Sequence, residues 1–226
     1  MLRIVSYNIH GGKDLFWRNR LEEMAETLSS LEADVIGLQE VHQNNRYGYQ
    51  ASYLADRLQF DYVYGPALQI ADGAYGNAIL SKLPLVYSSA QLLPAKREPR
   101  NLLQTTVKWE GSNLDIWVTH CSLDDKSRQV QLQALTKAVS SQQEKPFVLL
   151  GDFNSSSIQF PSFMQDCARV KNLHRLSTLV PLAKRVDFIF ASPHWRIAQY
   201  QRVEVKWSDH YPILVTLQPA GQQFPE

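Results

Sequence analysis

Two hydrophobic rhythms share this chain, one of strand type and one repeating every third or fourth residue. Residues 2–9 are apolar-rich and β-branched and read as a buried strand, which Gly11 and Gly12 break. From Asn19 the spacing changes, and Leu21, Met24, Leu28 and Leu31 fall on one face of a helix. Residues 34–39 form a second apolar run that stops at Glu40, and helical spacing returns over residues 50–58. The middle is extended: residues 62–64, 78–80, 85–87, 102–109 and 114–119 read as strands, separated in places by Gly65 and Pro66, Pro84 and Gly111. Short strands so close in sequence predict antiparallel hairpins. A helix over residues 126–140 carries Leu132, Leu135 and Val139 on one side. Strands follow at residues 147–150, 186–191 and 213–217. Strands with helices between some of them fit an α/β (α+β) architecture of two mixed sheets stacked face to face, with helices outside.

At 226 residues, one domain over residues 1–217 is expected, followed by a loose tail over residues 218–226 with two prolines and a glycine. Hydrophobic residues at 44% and charged residues at 20% match a globular chain. The net charge of +1 lacks the basic excess of a non-specific nucleic-acid binder. An anionic substrate must then be attracted by a local site or a bound cation. Cys121 and Cys167 sit in no zinc-type spacing, and two reduced thiols are expected. The N-terminus has no basic stretch before a long apolar run, so no signal peptide is expected, and no apolar stretch reaches membrane-spanning length. A cytoplasmic monomer is the default expectation.

The informative pattern is where acids, amides and histidines fall, because apolar runs repeatedly end on them. The first run leads to Asn8 and His10, the second to Glu40, residues 116–119 to His120, and residues 147–151 to Asp152 and Asn154. Asp187 sits at the start of a later run, and Asp209 and His210 precede the last. Ligand sites gather where strands stop and loops begin. Carboxylates that converge suit a hard divalent cation, while amides and imidazolium suit phosphoryl oxygens. In extended chain Asp152 and Asn154 face one side; Asp209 and His210 can address one site only from a turn. An unpaired buried carboxylate at Asp187 is costly, so Arg185 or a histidine is expected beside it.

Seven short motifs carry a resemblance. Tyr7-Asn8-Ile9-His10, Leu38-Gln39-Glu40-Val41, Gly76-Asn77-Ala78-Ile79-Leu80-Ser81, Thr119-His120, Gly151-Asp152-Phe153-Asn154, Arg185-Val186-Asp187-Phe188-Ile189-Phe190 and Ser208-Asp209-His210-Tyr211-Pro212 occur in this order. Together they resemble the endonuclease/exonuclease/phosphatase superfamily, which includes deoxyribonuclease I, neutral sphingomyelinases and inositol-polyphosphate 5-phosphatases. The resemblance implies a four-layer sandwich and a Mg2+-dependent (or Mn2+-dependent) phosphoric ester hydrolase with its site at one end of the sheets. It implies Glu40 as main metal ligand with Asn8 and Asp209 close by, and Asp152 positioning or deprotonating water. It also implies Asn154 on a phosphate oxygen, His210 oriented by Asp187, and His120 across the phosphate from His210. His120 stands where exonuclease III-type enzymes carry tyrosine, which points towards the other branches.

Arg100, in the basic segment 96–100, is the candidate to reach a phosphate, against a solvated loop as the plainer reading. Asn77 divides evenly between a turn role and a substrate contact. His42 and His174 are expected at the surface, and neither a basic arm nor an exposed apolar hairpin is apparent. The substrate is a phosphoester: a small molecule, a lipid headgroup or a nucleic acid. A metal-dependent phosphodiesterase or phosphatase leads, a nuclease of the same fold is the alternative, and a non-catalytic docking module is the reading from another class.

Overall fold

The computed structural model describes residues 1–96 and 98–221, so Arg97 and residues 222–226 of the expected tail lie outside the described residues. In chain order the elements are β1 (Leu2–Asn8), a 3-10 turn (His10–Gly12), α1 (Leu21–Ser30), β2 (Val35–Asn44), β3 (Gly48–Tyr49), α2 (Gln50–Leu58), β4 (Asp61–Ile70), β5 (Gly73–Ser81) and β6 (Leu85–Leu93). Then come β7 (Arg100–Trp109), β8 (Ser112–His120), α3 (Asp125–Ser140), β9 (Phe147–Asp152), β10 (Gln165–Asp166), α4 (Cys167–Val170), β11 (Asp187–Ala191), β12 (Trp195–Arg202) and β13 (Ile213–Pro219).

One sheet runs β12-β13-β1-β2-β5-β4, with β3 beside β2, and the other runs β10-β11-β9-β8-β7-β6. Both are mixed: β1 and β2 are parallel, as are β8 and β9, while their other neighbours run antiparallel. The central strands β1, β2, β5, β9 and β11 are buried on both sides because both faces are covered, while the edge strands β4 and β6 are more exposed. Ile4, Val35, Ile79, Val118, Val148, Leu150 and Ile189 meet between the sheets. Val5, Ile36, Leu38 and Leu80 turn the other way, against Met24, Leu28 and Leu54 of α1 and α2. On the far side Trp117, Phe147 and Leu149 pack under Leu135 and Val139 of α3. Asp124 caps α3 by accepting from the backbone N–H of Ser127 at 2.9 Å. At the centre Gly37 lets the sheets close, since a Cβ there meets Leu150 Cδ1 at 2.2 Å.

The expected layers are present, with differences in detail. β12 was not anticipated, because a register shift between Ile197 and Gln199 breaks its alternation. β13 runs through Pro219, so Gln218 and Pro219 are strand rather than tail. Both cysteines are buried and form no disulfide. His42, expected at the surface, is half-buried: it stacks on Tyr47 at 4.5 Å, and burial, with Lys13 nearby, lowers its pKa to about 4. No described helix is long and apolar enough to cross a membrane.

Candidate active site

Strand parity builds the site. On β1, Ile4 faces the gap between the sheets, so Asn8, four residues on, does too. The same alternation carries Val118 to His120, Leu150 to Asp152 and Ile189 back to Asp187. Register then aligns them: Asp152 lies opposite His120 on one side and opposite Asp187 on the other. Glu40 has the wrong parity, because Ile36 and Leu38 face the helices. A bulge between Leu38 and Val41 inserts one residue, and Glu40 takes a left-handed φ of 59°. The bulge swings Glu40 to the gap, where its Oε1 accepts from Asn8 Nδ2 at 3.0 Å. The half-buried Tyr75 lies close enough to Glu40 for that carboxylate, after burial, to raise the pKa of its phenol.

Two turns supply the rest. Ser208 is fully buried; its hydroxyl donates to the Asn8 carbonyl at 2.7 Å and accepts from the His210 N–H at 3.1 Å. That pin fastens the 208–210 bend to the end of β1. Asn154 also stands in a turn, not in extended chain as its spacing from Asp152 predicts: its φ is 49° and its N–H donates to Asp152 Oδ1 at 2.8 Å.

The buried groups polarise one another. Asn8 Nδ2 donates to Asp152 Oδ2 at 3.0 Å, and the Nε2 atoms of His120 and His210 lie 3.5 and 3.7 Å from that oxygen. Burial, opposed by His210 and reinforced by Asp187, raises the Asp152 carboxyl to about 7. For His210 burial works against the charge, yet Asp187, Asp152 and Asp209 outweigh it and raise the imidazole to about 10. Its Nδ1–H donates to Asp187 Oδ2 at 2.8 Å. His120 goes the other way, held well below its ordinary value by burial, Arg100 and His210, so it is neutral. Arg100 can only donate, and its Nη1 is 3.3 Å from His120 Nδ1. The proton of His120 therefore sits on Nε2, facing Asp152.

The sequence profile described as the Endonuclease/Exonuclease/phosphatase family matches residues 5–210. The chain belongs to that family. Members of the endonuclease/exonuclease/phosphatase family hydrolyse phosphoesters. The uncharacterized protein YbhP of Escherichia coli K12 is 28% identical over 167 residues, which is 67% of this chain and 66% of YbhP, just under two thirds of that relative. The Bacteroides thetaiotaomicron mannosyl-6-phosphatase Bt3783 superposes with a TM-score of 0.78 at 19% identity, covering 96% of this chain and all of that one. TDP2 of D. rerio in complex with a single-strand DNA product gives 0.78 at 20% identity, over 96% and 98% of the chains. At those identities the two structures share the fold.

In this family member Asn8, Glu40, His120, Asp152, Asn154, Asp187 and His210 form one cluster of hydrogen bonds and close polar contacts. Asp209 joins at the edge, its Oδ1 4.0 Å from His210 Nε2 and 3.8 Å from His10 Nδ1. Two candidates sit elsewhere. Arg100 is buried behind His120 and clamped by Glu98 at 2.9 Å, so in place of an open arm it orients the histidine. Asn77 is neither in a turn nor an open donor, since mid-strand on β5 it donates to Asn101 Oδ1 at 2.5 Å and ties the sheets together. The partner of Asp187 is His210, while Arg185 pairs with Asp166 at 2.5 Å. Ser208 makes the turn that its place in the motif predicts, whereas Tyr75, two residues before Asn77 on β5, was not among the candidates, and the bulge at Glu40 brings Tyr75 and Glu40 near each other.

The Asp187–His210 pair implies a pH dependence. The folded protein holds the His210 proton more tightly than the unfolded chain, whose imidazole titrates near 6.5. The resulting stability is complete below pH 6.5 and is lost as pH rises through about 10. Urea unfolding of metal-free protein across that window should show a falling midpoint, and Asp187→Asn should flatten the fall. Parallel curves for the two proteins would refute this coupling.

Proposed function

We propose that this chain is a divalent-metal-dependent phosphodiesterase or phosphatase that works by in-line attack of water on phosphorus. The observation that carries the reading is the convergence of His120, His210 and Asn8 on one carboxylate oxygen of Asp152. Asp152, with its carboxyl near neutrality, suits a general base that takes a proton from water. His210 stays protonated and offers a charged donor to the negative charge that builds on phosphorus-bound oxygen. His120 Nε2–H and Asn154 Nδ2 face each other at 3.1 Å, and Asn154 is held in that orientation by the Cys121 carbonyl at 2.9 Å. Two donors without an acceptor between them fit a phosphoryl oxygen.

The acids also fit a hard cation. Asp152, Asp187 and His210 have candidate ligand atoms within 4.8 Å of one another, and the buried Asp187 Oδ1 has no hydrogen-bond partner among the described residues. A protonated His210 has no lone pair to give, so Glu40 and Asp209, each with a side chain 23% exposed, are the better holders. Asn8 turns its amide hydrogens to the acids, while its Oδ1 accepts from the His10 N–H at 3.0 Å, so it orients Glu40. Mg2+ or Mn2+ bound there would neutralise charge on a non-bridging or leaving oxygen.

The test is a panel of phosphomonoesters, phosphodiesters, phospholipids and nucleic acids with Mg2+ and Mn2+. Turnover should require metal, and Glu40→Gln should lose both activity and the rise in Tm on metal addition. Cleavage confined to DNA would assign a nuclease, and no turnover across the panel would sink the hydrolytic reading.

A further inference from the structure

We propose that residues 15–17 dock the active-site end of the molecule onto an anionic lipid bilayer. An exposed apolar hairpin was not expected, yet one is present between the 3-10 turn and α1. Lys13 and Asn19 bridge its base in antiparallel fashion. Asp14 N–H donates to the Arg18 carbonyl at 3.0 Å, and Trp17 N–H to the Asp14 carbonyl at 2.9 Å. The Asp14 carboxylate accepts from the N–H groups of Phe16 and Arg18, at 2.8 and 3.1 Å, and from Nε of Arg18 and Arg20, at 2.8 and 3.1 Å. Burial opposes its charge, but these donors prevail and hold its carboxyl well below the usual range. Trp17 is fixed at a φ of 63°, a left-handed conformation that a tryptophan keeps only where its surroundings impose it.

This rigid turn presents apolar side chains to water. Leu15, Phe16 and Trp17 are 41%, 76% and 69% exposed. Single exposed apolar residues need no explanation, but three in a row on a braced tip mark an interaction surface. Cations decide the partner. Lys13 Nζ lies 5.2 Å over Trp17, Arg18 5.0 Å over Phe16, and Arg46 5.1 Å over Tyr47 beside the tip. Aromatic and aliphatic tips ringed by Lys and Arg complement the boundary between anionic headgroups and acyl chains. A single-stranded nucleic acid fits less well, because a base stacks on an open ring face and here cations lie over the rings, while Leu15 has no ring.

The tip also borders the cleft: Trp17 is 5.1 Å from the His10 ring, which is in turn 3.8 Å from Asp209. A bilayer on the tip therefore brings its phosphate plane to the mouth of the site. That the cleft acts on a lipid phosphoester rests on the hydrolytic reading; the docking does not.

The experiment is co-sedimentation of the full chain with phosphatidylglycerol/phosphatidylcholine vesicles and with pure phosphatidylcholine vesicles. The protein should pellet with the anionic vesicles, and less so at high salt. Leu15→Ser with Phe16→Ser should weaken that binding about tenfold or more, while turnover of a soluble phosphodiester and Tm stay unchanged. Brominated acyl chains should quench tryptophan emission, and Trp17→Phe should remove the quenching. Glu40→Gln should bind vesicles as the parent does, and a parent protein that docks yet turns over no phosphoester would overturn the hydrolytic reading alone. No binding to anionic vesicles, equal binding by the double serine variant, or serine-sensitive binding to oligo(dT) in their place would each overturn the docking.

Discussion

Asp152→Asn is expected to lower kcat for phosphoester hydrolysis by about 10²- to 10⁴-fold, the range over which a positioned base contributes. The substitution keeps shape and volume, removes the charge and the capacity to take a proton, and replaces one acceptor oxygen with a donor amide. Asp152 lies under Asp187 in the ladder, with both side chains buried. Burial is the main reason the Asp152 carboxyl rises to about 7, with repulsion from Asp187 adding to it and His210 opposing it. The asparagine variant relieves that repulsion but turns an amide donor towards Asn8 Nδ2 or the Asn154 N–H, both of which donate to the carboxylate, so its urea midpoint should not exceed the parent's. Combining it with His210→Ala should cost less than the product of the two single effects, because both act on one transferring unit. A variant within tenfold of the parent at saturating metal would remove Asp152 from the base role.

The largest expected loss of stability comes from Gly151→Ala. Gly151 has a φ of 146°, and a Cβ built on it lies 1.9 Å from the Thr119 carbonyl oxygen. The obstacle is backbone of the paired strand, so no rotamer change relieves it. Strained backbone costs about 1–3 kcal/mol before any clash is counted. A loss of about 3 kcal/mol or more follows, read as a fall in Tm of about 6 °C or more. Thr119 and Gly151 each precede a site residue, His120 and Asp152, so the displaced ladder should also cost turnover. A Tm within a degree or two of the parent would show that β8 and β9 can part without penalty, contrary to their burial.

Much of the fold was legible because its signals are local. The helical spacing of Leu21, Met24 and Leu28 needs no distant partner to be read, and α1 lies there. β12 was hidden because its bulge interrupts the alternation that reveals strands. The candidate site was legible as a set of polar residues ending apolar runs, but their individual roles were less so. Arg100 in a basic segment reads as a phosphate arm, and only the structure places it buried with Nη1 against His120. Asn77 reads as a turn residue or ligand, and only its bond to Asn101 makes it a tie between sheets. The tip at residues 15–17 gave no periodic signal, and Asp14 lifts it into solvent through bonds that spacing does not reveal.

The amino-acid sequence by itself determined which strands would be covered on both faces and which would end in chemistry, since period and composition act over a few neighbouring residues. The tertiary structure decided which of those ends would meet. Asn8 and Asp152 are 144 positions apart and share a hydrogen bond, and the bulge that turns Glu40 towards them is defined by the pairing of β2 with β5. Register and inter-sheet packing are properties of the whole assembled core, and no local stretch of chain encodes them.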